Sequence, residues 1–99
     1  MRTRRPQPNQ VFGEHLRTLR NSKNLTQEET AEAADLGTNI VGRLERAVIA
    51  PGLVTLLKLS IALDVPVTRL LEPFTPELVR EMRTGARPAP ASGRSRSRR

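Results

Sequence analysis

The chain contains no cysteine, which excludes disulfides and thiolate metal sites and removes any argument for an oxidising compartment. It has no apolar run approaching the roughly 20 residues that cross a bilayer. Its basic start, MRTRRPQPNQ, is not followed by the apolar stretch of a signal peptide. A soluble, cytoplasmic protein with no membrane partner is expected. No glycine-rich phosphate loop and no paired nucleophile and base appear. The single histidine, His15, has no constellation of carboxylates or cysteines around it in sequence. Glu28, Glu29 and Glu32 read as the solvated outer face of a helix rather than as metal ligands. Neither an enzyme nor a bound cofactor or metal is expected.

What is present in excess is positive charge, a formal +7 over 99 residues. The excess lies at the two ends. Arg2, Arg4 and Arg5 supply +3, residues 11–72 are at −1, residues 73–85 are neutral, and residues 86–99 carry five arginines. A high pI suggests a polyanion partner, but here it describes the ends and not the middle. Residues 1–9 form a basic N-terminal arm without apolar periodicity. From Arg87 onward RPAPASGRSRSRR offers almost nothing to bury and reads as a disordered Arg/Ser/Pro tail over 86–99. The globular part is expected within residues 10–85.

That part is all-α. Val11, Phe12, Leu16 and Leu19 fall at helical spacing, and Asn21–Asn24 closes a first helix. Thr26 with Glu29 three residues later forms a capping-box signature for a second helix reaching about Ala34. A third helix follows over about Thr38–Arg46, and Ala50-Pro51-Gly52 interrupts it. Residues 53–63 are apolar on most sides, which predicts a central, largely buried fourth helix. Pro66 suits the first turn of a short fifth helix ending near Leu71. Thr75-Pro76-Glu77 then opens a sixth helix closed by Gly85.

The segments LRTLR (16–20), LTQEE (25–29), Ala31, VGRLER (41–46), Pro51, LVTLLKLSIALDV (53–65) and Leu70-Leu71 carry a resemblance. Together, from Phe12 to Leu71, they resemble the DNA-binding domain of the Cro/phage-repressor (Xre) family. The resemblance implies a five-helix repressor-like domain over 10–72 in which helices two and three form a helix-turn-helix. Residues 73–85 would add a sixth helix suited to dimerisation. Thr30, Asp35, Gly37 and Ala47 depart from the family's usual pattern. Threonine can hide its methyl, aspartate accepts a left-handed turn, and glycine can cap a helix.

On the third helix Ile40, Val41 and Leu44 share one arc, while Thr38, Asn39, Gly42, Arg43 and Arg46 share the opposite one. Threonine, asparagine and arginine are residue types that read base edges. Gly42, bare at the centre of that arc, either brings the helix backbone close to a groove wall or is a tolerated surface glycine. The resemblance implies base contacts from Thr38, Asn39 and Arg43, with Gly42 between them. It implies a phosphate contact from Arg46, a contact with the DNA backbone or an edge base from Gln27, and an orienting ion pair between Arg20 and Glu45; Thr26, beside Gln27, is a further expected backbone contact.

Leu70, Leu71, Phe74, Leu78, Val79 and Met82 form an apolar strip beyond what five helices need, the expected dimer surface. The expected partners are double-stranded DNA and a second copy, in a sequence-specific, repressor-like regulator located with the nucleoid. A repressor, a restriction–modification controller and the antitoxin half of a pair are not separated by the sequence. The alternative is a protein-interaction adaptor or antitoxin-type module whose basic tails give only non-specific, salt-dependent DNA affinity.

Overall fold

The computed structural model describes residues 5–90. Residues 1–4 of the expected arm and 91–99 of the expected tail lie outside the described residues. The chain forms six helices in the order α1 (Pro8–Ser22), α2 (Gln27–Ala33), α3 (Ile40–Glu45), α4 (Leu53–Leu63), α5 (Val67–Leu70) and α6 (Pro76–Met82), with no strand among the described residues. None of these helices is long and apolar enough to cross a membrane.

The helix starts follow from local chemistry. Pro8 occupies the first turn of α1, where its missing N–H costs nothing. At α2 the Thr26 hydroxyl accepts from the Glu29 N–H at 3.0 Å, and a Glu29 carboxylate oxygen accepts from the Thr26 N–H at 2.9 Å. Two otherwise orphaned amides are thereby satisfied. Thr75 caps α6 through the Leu78 N–H, and Pro76 begins its first turn.

The stops of α1 to α4 share one device that uses no glycine. Asn24, Asp35, Ala47 and Asp64 all take left-handed backbone, with φ of 59°, 54°, 64° and 56°. In each case the next residue's N–H reaches back five residues: Leu25 to Arg20, Leu36 to Ala31, Val48 to Arg43 and Val65 to Ser60. This is the Schellman stop, normally built on glycine. Asparagine and aspartate tolerate it, but alanine has no local compensation. Gly37, expected as the cap of the third helix, does not take that position. Asn39 does, and without a side-chain cap bond.

Phe12, Leu16 and Leu19 from α1 meet Ala31 and Ala34, Val41 and Leu44, Leu59 and Leu63, and Leu70 in a single core. Helix α1 packs on α3 and α5, α2 packs on α3 and α4, and α4 packs on α5. Two helices approach to backbone contact at Gly13, where a Cβ would fall 2.6 Å from the Leu44 carbonyl oxygen and 2.7 Å from that of Glu45. Only a bare backbone lets α1 lie this near α3. His15 adds a second tie, its Nε2–H donating to the Arg69 carbonyl at 2.7 Å.

Three expectations are corrected. Helix α3 is shorter than Thr38–Arg46, because Thr38 and Asn39 lie in the turn that leads into it. Helix α4 is not largely buried: Leu59 and Leu63 face the core, but Leu53 (69%), Val54 (64%), Leu57 (46%) and Ile61 (79%) are exposed. A core this small covers only one arc of a helix that is apolar on most sides. Leu70 is completely buried and cannot belong to a dimer surface, and Phe74 packs against the core. Leu71 is exposed, whereas Leu78, Val79 and Met82 are half-buried on an α6 that has no buried residue.

Two substitutions test this packing. Thr30 is fully buried and its hydroxyl has no hydrogen-bond partner. Thr30→Val removes an unsatisfied polar group at nearly constant volume and is expected to stabilise the fold by about 1 kcal/mol. Ala47→Gly relieves the strained stop of α3 and is expected to add about 0.5–1 kcal/mol, after the entropy of an extra glycine is set against the strain removed. Urea midpoints at unchanged slope measure both, and a lower midpoint in either variant contradicts the corresponding account.

Candidate nucleic-acid interface

Helix α3 is fixed from behind before anything meets its front. Val41 and Leu44 are in the core, the backbone at Leu44–Glu45 rests on Gly13, and the Glu45 side chain has no solvent exposure. A buried carboxylate must be matched by hydrogen-bond donors, and four donor atoms surround this one. Arg20 binds it side-on, Nε to Oε2 at 2.6 Å and Nη2 to Oε1 at 3.0 Å. Gln27 Nε2 donates to Oε1 at 2.9 Å and Arg17 Nε to the same oxygen at 3.3 Å. Arg20 Nη1 also donates to the Leu25 carbonyl at 2.8 Å, just ahead of α2. One carboxylate thus joins α1, α2 and α3.

Burial is the largest single influence on Glu45 and opposes its charge. Hydrogen bonds from Arg20, Gln27 and Arg17, together with the charge on Arg20, outweigh it and hold the carboxyl below the usual glutamate range. The Arg20 guanidinium is correspondingly raised by its hydrogen bond to Glu45, against the effect of burial.

The expected ion pair between Arg20 and Glu45 is therefore present as a two-bond pair. Arg17 and Gln27 were not expected in it. Arg17 stands three residues before Arg20 on α1, so the same helix face was the available signal.

The front of α3 brings together Thr38, Asn39, Arg43 and Arg46, all exposed. The Thr38 hydroxyl donates to Asn39 Oδ1 at 3.1 Å. Gly42 does not belong to this front, which corrects the arc drawn from the sequence: it is buried. A Cβ there would lie 3.1 Å from Gln27 Oε1 and 3.1 Å from Arg46 Nη1. Its missing side chain makes room for the Gln27 amide, which Glu45 holds in place from the other end, and for the Arg46 guanidinium. The bareness serves the contact between α2 and α3, not an outside surface. Thr26 and Gln27 are likewise partly committed, Thr26 to the cap of α2 and one Nε2 hydrogen of Gln27 to Glu45. A shallow acidic depression of Glu28, Glu29, Glu32 and Asp35 borders the front at Leu36 and Thr38.

Comparison with known proteins agrees with this geometry. A helix-turn-helix family model matches residues 16–70. No curated protein matches significantly in sequence. Among solved structures, the chain is similar to the restriction-modification controller protein C.AhdI from Aeromonas hydrophila, with 40% identity over 63% of this chain and 94% of that one and a TM-score of 0.61. It is similar to the clp gene regulator ClgR from C. glutamicum, with 26% identity over 80% and 97% of the two chains and a TM-score of 0.64. It is also similar to the hypothetical transcription factor NHTF from Neisseria, with 25% identity over 83% and 95% and a TM-score of 0.64.

The Glu45 cluster has a pH signature. The folded carboxyl titrates below the unfolded value of about 4.3. Its contribution is therefore complete above that value and disappears as pH falls through the lower, folded value. Glu45→Gln leaves Arg20 without its counter-charge and is expected to cost about 3 kcal/mol at neutral pH. The variant should also lose part of the wild-type decline in stability below pH 4. Urea unfolding between pH 2.5 and 7 checks both, and parallel pH profiles for the two proteins would contradict the assignment.

Proposed function

The chain belongs to the Cro/phage-repressor (Xre) type of helix-turn-helix family, whose members are DNA-binding regulators, and from that premise we propose that it is a sequence-specific transcriptional regulator binding operator DNA as a homodimer, with α3 in the major groove. The observation that carries this is the two-sided character of α3. Its back is locked by a buried carboxylate, and its front presents Thr38, Asn39 and Arg43 to solvent. A reader needs both, because hydrogen bonds to base edges discriminate only when the donors are held in register.

In this reading Arg43 takes guanine and Asn39 adenine, and the Thr38 methyl packs on thymine. Arg46 and the start of α2 at Thr26 and Gln27 meet the phosphate backbone. Gly42 gives up its base contact and becomes the seat of Gln27. A homodimer would present two such fronts to half-sites about 34 Å apart. The regulator is repressor-like, occluding DNA rather than acting on it chemically. Identity of 40% over nearly all of a restriction-modification controller supports a controller role over that of an antitoxin.

Selection from random duplexes near physiological salt, with the full chain, tests the reading. A palindromic motif is expected, and Arg43→Ala should weaken its binding about 10- to 100-fold, the worth of one good base contact at roughly 1–3 kcal/mol. Equal binding to every duplex by both proteins would reject base reading. It would instead favour the adaptor alternative, with DNA affinity confined to the basic ends.

A further inference from the structure

Among the described residues, the outward face of α4 holds most of the large apolar side chains that the fold leaves exposed. Leu53, Val54, Leu57 and Ile61 recur at helical spacing along it, and Leu71 beyond α5 is exposed as well. The opposite face carries Leu59 and Leu63 into the core, with Leu56 packed against them. At their observed exposures the five outward side chains present on the order of 500 Å² of apolar surface, near the upper limit for the largest patch on a monomer.

Two polar residues beside this face are bonded within the chain. Lys58 Nζ donates to the Asp35 carbonyl at 3.0 Å, and the Ser60 hydroxyl donates to the Val65 carbonyl at 2.5 Å. What remains is an apolar strip with no charged side chain among its five residues. Among the described residues nothing covers it. Residues 1–7 and 83–99 contain no large aliphatic or aromatic side chain apart from Met1.

We infer that this face is the contact between two copies of the chain, with Leu57 and Ile61 at its centre, and that α6 is not. The inference rests on the homodimer reading above and names its surface. Two arguments select a second copy. A two-fold interface sets a patch against itself, which an uncharged strip accepts without like-charge conflict. A standard interface buries about 800 Å² per partner, about 65% of it apolar in homodimers, which is close to the area present here. Helix α4 packs on α2 and α5 while α3 packs on α1 and α2, so the contact uses a different part of the domain from the front of α3.

Sedimentation equilibrium of the full chain tests this, with Ile61→Glu and Val54→Glu set beside Val79→Glu on α6. Ile61 and Val54 are mostly exposed, so their variants are expected to keep wild-type helical circular dichroism and melting. The wild type and Val79→Glu should be dimers. Each α4 variant brings like charges together across the two-fold and should raise the dissociation constant at least 100-fold. A monomeric wild type overturns the inference, as does an Ile61→Glu protein that dimerises normally, or a dimer broken by Val79→Glu alone. The two readings fail separately. Arg43→Ala that loses sequence preference but stays dimeric speaks only to base reading. A specific DNA binder whose dimer ignores α4 defeats only the interface.

Discussion

A carboxylate shut away from water must be matched where it lies, and the arrangement of the first three helices answers that requirement for Glu45. Its side chain has no exposure, and its donors come from two other elements: Arg17 and Arg20 of α1, and Gln27 at the first position of α2. Those elements could converge on one acceptor only if α1 approached α3 to backbone contact, and Gly13 permits that. Such a pair is a poor source of net stability, because desolvation consumes most of the Coulombic gain. What it supplies is register. The three helices can dock in one mutual arrangement that leaves no buried charge unmatched.

The surface opposite this cluster inherits its rigidity. Arg43 extends from a helix of only six residues, Arg46 from the cap that ends it, and Asn39 and Thr38 from the turn before it. A helix this short has little stability of its own in water. Its orientation is therefore a property of the interior, and the polar front acquires a fixed geometry with a single bond of its own, from the Thr38 hydroxyl to Asn39 Oδ1. Gly42 contributes in the same sense. By holding nothing, it lets the Gln27 amide reach Glu45 across the junction of α2 and α3.

What could be read from the sequence was what is decided locally. Thr26 with Glu29, and Thr75 with Pro76, mark helix starts through atoms three residues apart, and both form as expected. The Arg20–Glu45 pair came from family resemblance. Its extension to Arg17 and Gln27 joins positions 28 and 18 residues from Glu45 in the chain, beyond the reach of any spacing rule. The misjudged faces have one cause. Helical periodicity says which residues share a side, but not what lies against that side. Gly42 sits on the polar side of α3 by angle, yet α2 covers it. Helix α4 is apolar on most sides, and the small core takes in Leu59 while Ile61 stays outside. Leu70 was assigned outward when α5 turns it into the same core.

The Glu45 cluster also bears on how the domain comes apart. Peeling α3 away while α1 and α2 remain docked would strand Arg20, only 11% exposed, without its counter-ion. Undocking α1 instead would leave a buried anion with Gln27 alone. Each partial opening carries the cost of an uncompensated buried charge, several kcal/mol by the usual measure, a large share of what holds a domain of this size together. Partly open forms are therefore suppressed relative to both the closed and the fully unfolded chain, and α1 to α3 open as one cooperative unit. The amides of α3, a helix too short to protect itself, exchange with solvent only when the whole three-helix unit opens.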